Sequence, residues 1–138
     1  MTDQSATARA FDPAKHHRLI EAAASLFSRV GFERASVDDI AANANVAKGT
    51  VYLYFDSKAD LFLAVLEQLR SSMERHPALP GTAEEAEASL RQLVRAQLRA
   101  AEEIPGHFRC YTTALFGVNR QFEPSARKIF DEQRIQVM

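Results

Sequence analysis

The stretch Val37–Phe55, VDDIAANANVAKGTVYLYF, decides how this chain is read. It divides into two short amphipathic segments around Asn43-Ala44-Asn45. In the first, Val37 and Ile40 share a face with the small residues Ala41 and Ala44. In the second, Val51 stands behind a polar lead of Lys48, Gly49 and Thr50. Neither segment is long enough to be a stable helix alone in water, so both must pack on other helices. The pattern predicts a helix, a tight turn and a second helix over Ala47–Phe55. Such a crossing needs a small residue where the helices approach, and Ala41 serves. It needs a turn residue that tolerates positive φ, which Asn45 does less well than glycine. It needs buried branched residues, here Ile40, Val46 and Val51.

In a helix-turn-helix, the exposed half of the second helix reaches phosphates and base edges. Lys48 supplies a cation, and Gly49 lets a backbone approach closely. Thr50 can donate, accept or touch a thymine methyl, while Tyr52 and Tyr54 are flat and amphipathic. Lys58 lies at the start of the next helix, where backbone N–H groups also favour a phosphate. Plainer roles stand beside these. Tyr52 and Tyr54 suit the edge of a core, Lys58 suits a solvated surface, and Phe55 belongs in the core.

The flanking sequence supplies the support that the pair needs. Asp12-Pro13 reads as an N-cap followed by proline at the first helical position. Leu19, Ile20, Ala23, Phe27 and Val30 then recur at helical spacing, and Gly31 suits a C-terminal cap with Phe32 tucked beneath it. Ser36–Asp39, Ser57–Asp60 and Thr82–Glu85 each match a capping box. The second opens a long helix with Leu61, Phe62, Val65, Leu66, Leu69 and Met73 on one stripe. His76-Pro77 to Pro80-Gly81 breaks it. A helix with Leu90, Leu93, Val94, Gln97 and Leu98 follows to about Ile104. After Pro105-Gly106 comes a helical apolar segment, His107–Gly117. Pro124 starts a last helix with Ala126, Ile129, Phe130 and Val137 inward. That helix reaches Met138 without a capping signal, as in a fragment. No period-two strand and no hairpin turn is visible, so the class is all-α.

Composition narrows the function. With 46% apolar residues in 138, a real core is available. The 17 basic and 18 acidic residues give a net charge of −1, which argues against a polybasic binder but not against a local basic face. One cysteine, Cys110, excludes an internal disulfide or a cysteine metal cluster and fits a reducing compartment. Met1–Asp12 lacks a signal-peptide run, and the longest apolar run, Leu61–Leu66, is far below the roughly 18 residues of a membrane span. Adjacent His16 and His17 point about 100° apart on a helix and make a poor shared metal site. No catalytic or metal constellation stands out, and no cofactor is implied.

Residues Leu19–Leu66 closely resemble the DNA-binding region of the TetR family of transcriptional regulators. KGTVYLYFDSKADL is the most specific part, with Gly49, Thr50, Tyr52, Tyr54, Phe55, Lys58 and Leu61 at family positions. The resemblance implies a homodimer with two heads in successive major grooves of an operator. It also implies a C-terminal helical domain that dimerises and binds a small effector. It puts Lys48, Gly49, Thr50, Tyr52, Tyr54 and Lys58 where the family contacts DNA, and Ser36 at a helix start that meets a phosphate. Two departures stand out. Asn45 replaces the usual turn glycine. Ala47 replaces a usual serine, which removes a capping hydroxyl at a cost of about 1 kcal/mol.

The expectation is therefore a mobile arm over residues 1–12, a three-helix helix-turn-helix DNA-binding domain over 13–57, and an incomplete helical ligand-binding and dimerisation domain over 58–138. The function is a cytoplasmic, ligand-responsive regulator, most simply a repressor released by its effector. The alternative is a helical protein-interaction module without DNA binding. For the effector pocket the expected lining is Leu90, Val94 and Leu98 facing Phe108, Cys110, Tyr111, Leu115 and Phe116. His107 is expected at a cap or on the surface, and Arg91, Arg95 and Arg99 on a solvated face. An acidic effector held by one of these arginines is a minor alternative.

Overall fold

Asp12 caps the first helix, α1 (Pro13–Val30): its Oδ1 accepts from Ala14 N at 2.9 Å, and Pro13 begins the helix without needing a donor. The computed structural model describes residues 11–73, 82–117 and 119–135, and its regular elements there are all helical. After α1 come α2 (Val37–Asn43), α3 (Lys48–Tyr54), α4 (Lys58–Ser72), α5 (Ala83–Glu103) and α6 (Pro105–Leu115). A single 3-10 turn, Arg120–Phe122, leads into α7 (Glu123–Ile135). The all-α class is the one expected. The N-terminal arm Met1–Ala10, the break at His76–Gly81 and the inward placement of Val137 lie outside the described residues.

The chain forms two compact units, Met1–Val65 and Leu66–Met138. In the first, α1 packs on α2 and α2 on α3. Leu19, Ile40, Val51, Leu61, Phe62 and Val65 are all at most 1% exposed and make its centre. Phe27, Phe32 and Phe62 meet with ring centroids 5.3–5.7 Å apart, in the offset and edge-on arrangements that aromatic quadrupoles favour. Gly31, at φ 86°, turns the chain after α1 so that Phe32 reaches Phe27. Val30 was expected inward but is 42% exposed, because Phe32 takes the covering position at that end of the helix.

In the second unit, α5 packs on α6, and α6 on α7. Leu66, Leu69, Met73, Ala100, Cys110, Tyr111, Ala114, Phe122, Ala126 and Ile129 are buried. Thr82 and Glu85 form the reciprocal capping box of α5, with Thr82 Oγ1 accepting from Glu85 N and Glu85 Oε2 from Thr82 N. Phe130, expected inward, is 44% exposed; Phe122 and Ile129 fill that side instead.

These burials separate two neighbouring residues of α4. Phe62→Ala is expected to destabilise the first unit by about 3–5 kcal/mol, the range for a fully buried phenylalanine. Leu63→Ala, at a position 39% exposed, should cost well under that. Urea unfolding followed by circular dichroism measures both.

Candidate nucleic-acid interface

The turn between α2 and α3 is built by backbone geometry. Asn45 has φ 58°, and its N–H donates to Ala42 O at 3.1 Å, while Val46 N donates to Ala41 O at 3.0 Å. This is the Schellman pattern, in which a left-handed residue lets the last carbonyls of a helix find donors. Asparagine tolerates that conformation better than other non-glycine residues. Ser36 caps the far end of α2, its Oγ accepting from Asp39 N at 3.0 Å. Ile40 and Ala41 of α2 and Val51 of α3 are buried, together with Ala44 in the turn.

Burying Val51 turns the opposite face of α3 outward. Lys48 and Gly49 are exposed, Tyr52 is 49% and Leu53 66% exposed, and Thr50 is half-buried. Lys48 and Tyr52 are four apart, as are Gly49 and Leu53, so each pair stacks along one face. Leu53 belongs to this face, although its apolar character hid it in the sequence. Lys48 Nζ lies 3.4 Å from each carboxylate oxygen of Asp38 on α2. Ala47 precedes α3 and makes no side-chain cap hydrogen bond, as its missing hydroxyl requires.

Tyr54 and Lys58 point elsewhere. Tyr54 is half-buried, and its hydroxyl accepts from Asp12 N at 2.8 Å. Its ring lies 5.7 Å from Phe11 and 6.1 Å from His16, which itself stacks on Phe55. Lys58 is half-buried, with Nζ 4.4 Å from the Phe32 ring centroid and donating to Glu33 O at 3.4 Å. These two side chains hold the start of α1 and the loop after it.

Residues 19–65 match the family model for bacterial regulatory proteins of the tetR family. Through that region, the chain is similar to regulators of the TetR family. It is 42% identical over 55 residues to an uncharacterised HTH-type transcriptional regulator of Bacillus subtilis, covering 40% of this chain and 28% of that protein. It is 43% identical over 51 residues to an HTH-type transcriptional repressor of Streptomyces coelicolor, covering 37% of this chain and 27% of that one. The chain thus spans little more than a quarter of either regulator's length. A solved multidrug binding protein complexed with imidazole superposes with a TM-score of 0.60 at 26% identity, over 88% of this chain and 66% of its own.

In the second unit, the residues expected to line an effector pocket differ widely in exposure. Leu90, Val94 and Leu98 are 52%, 50% and 60% exposed, and Phe116 is 81% exposed. Cys110 and Tyr111 are buried, while Phe108 and Leu115 are half-buried. None of these eight lines the cavity described below. The reason lies in α5, which has two neighbouring stripes at helical spacing. The face with buried Ser89 and Ala100, and half-buried Ala86, Leu93 and Ala96, is the covered one, because small side chains let helices approach closely. A cavity of about 230 Å³ does occur, lined by Ser72, Met73, Ala96, Arg99, Ala100, Glu103 and Ile104. Of the residues singled out in the sequence it includes Met73 and Arg99. Arg91, Arg95 and Arg99 are exposed, as a solvated face requires.

His107 corrects its expectation too. It is only 2% exposed, with Nε2 donating to Gln68 Oε1. A buried imidazole needs such a partner, and the partner comes from α4, 39 residues away, where sequence spacing cannot reveal it. Burial pushes the Cys110 thiol up to about 12 and the Tyr111 phenol up to about 12. Both groups keep their protons when folded and lose them more easily when unfolded. Their contribution is intact at neutral pH and falls away as pH rises from about 9 toward 12. Native protein at pH 8 should therefore leave Cys110 unalkylated by iodoacetamide, with labelling restored in urea. Mass spectrometry reads the difference.

Proposed function

We propose that this chain is the DNA-binding part and adjoining helical part of a transcriptional regulator that acts as a repressor. In this reading it works as a homodimer, with α3 of each head in a major groove. The two half-sites of an inverted-repeat operator would lie one helical turn apart, roughly 34–36 Å. The observation that carries the reading is the outward face of α3, fixed by Val51, within the segment that matches the family. Lys48, Thr50, Tyr52 and Leu53 are the side chains assigned to phosphates and base edges, and Gly49 allows close backbone approach. Ser36 and Lys58 bracket this surface, although Lys58 also holds Phe32 and Glu33. Tyr54 acts mainly by fixing the start of α1.

A small effector bound in the helical unit releases the operator by favouring a form of the dimer that does not fit it. The solved neighbour named as a multidrug binding protein supports effector binding of this kind. Among the described residues no helix is long and apolar enough to cross a membrane, which suits action on cytoplasmic DNA. The near-neutral head, with nine Lys/Arg and ten Asp/Glu from Met1 to His76, calls for few phosphate contacts. The salt slope should therefore be shallower than about −10.

Gel shift of the DNA upstream of the gene tests the reading. Lys48→Ala and Tyr52→Ala should each weaken binding about 10-fold or more, with unchanged melting; if neither does, α3 is not the reading helix. Gly49→Ala gives a split result. Nothing lies within 4 Å of the added methyl, so the head should be stabilised by up to about 1 kcal/mol while DNA binding falls. Equal binding by Gly49→Ala would mean that no backbone approaches there.

A further inference from the structure

Between Val37 and Phe55 there is one cation, Lys48, and there are two acids, Asp38 and Asp39. Both acids lie in the first turn of α2, yet only Asp38 meets the cation of α3. Lys48 Nζ sits 3.4 Å from Oδ1 and 3.4 Å from Oδ2 of Asp38, an even two-oxygen contact across the helix-turn-helix. The two side chains are 55% and 66% exposed, so the pair lies open to whatever approaches α3.

We propose that Asp38 is a positioning and affinity-setting residue that tempers the DNA-reading helix through Lys48. This rests on the reading of α3 as a DNA contact. A phosphate approaching the ammonium competes with the Asp38 carboxylate and is repelled by it. The penalty falls on every duplex alike, because phosphate contacts carry no base information. A single head is thereby kept too weak to hold arbitrary DNA. Binding then depends on the remaining contacts of α3 and on two heads acting together. Asp38 also restrains the flexible lysine stem, so Lys48 is presented from one side of α3.

Asp39 provides the control. It carries the same charge at the same helix end, and its backbone N–H belongs to the Ser36 cap. Asp38→Asn and Asp39→Asn therefore change net charge and helix-end electrostatics alike, while only the first frees Lys48. The experiment is fluorescence polarisation of the full chain on a short random-sequence duplex and on the upstream DNA, across a salt series. Asp38→Asn should bind the random duplex about two- to fivefold more tightly per head than Asp39→Asn, the range of a surface ion pair. Its log–log salt slope should steepen by about one per head. In a Lys48→Gln background the difference between the two asparagine variants should vanish, which isolates the pair. Should Asp38→Asn melt early, Asp38→Ser repeats the measurement.

Equal binding by the two asparagine variants overturns the proposal while leaving the DNA reading intact. Weaker upstream binding by Asp38→Asn overturns it as well, since Asp38 would then be making a contact of its own. If wild type and every variant leave both duplexes unbound, the DNA reading falls and this inference falls with it.

Discussion

The crossing of α2 and α3 is the constraint on which the head depends. Each helix has seven residues, too few to persist without tertiary support. What holds them is the burial of Ile40, Ala41, Ala44 and Val51, and the Schellman turn at Asn45 that joins them. The turn satisfies carbonyls that would otherwise be left open at the end of α2. Because Val51 must face inward, Lys48, Gly49, Tyr52 and Leu53 must face out. The candidate reading surface is thus the geometric complement of a packing decision.

The same economy governs the residues around α3. Tyr54 and Lys58 occupy positions that the family resemblance marks for DNA, yet in this fold both have internal partners. Tyr54 receives a backbone N–H from Asp12, and Lys58 lies over Phe32 while donating to Glu33 O. An ammonium has three donors, so one internal hydrogen bond leaves capacity for another acceptor. A phenol lodged against Phe11 and His16 has less freedom to turn away. The two are therefore unequal candidates, which sequence position alone does not convey.

What was legible in the sequence follows from how local each determinant is. The caps at Asp12, Ser36 and Thr82 depend on residues within three positions, and the structure contains all three. The buried stripe of α4 from Leu61 to Leu69 reads directly from periodicity because a single strong apolar face was available. In α5 two stripes compete, and spacing cannot say which meets another helix; Leu90, Val94 and Leu98 carry the larger side chains, yet the stripe of mostly small ones is the covered one. The burial of His107 is not legible, because its partner Gln68 is distant in sequence. The exposure of Leu53 is not legible in the sequence, because hydrophobicity marks burial. The Asp38–Lys48 pair was invisible for a further reason. It exists only once the Asn45 turn sets two short helices at their crossing.

That pair also bears on how so neutral a head would bind a polyanion, as proposed above. A basic patch would raise affinity for every sequence at once. A head whose α3 cation is shared with its own carboxylate gains less from phosphates, so base edges and shape weigh more in the balance. The homodimer proposed above then contributes by geometry: once one head is placed, the second meets its half-site at high effective concentration. Under that arrangement weak heads are an advantage. Two strong heads would hold DNA singly at many places, whereas two weak ones hold only where both half-sites are correctly spaced. An effector that altered the spacing by little would then release the operator, because neither head alone has affinity enough to remain.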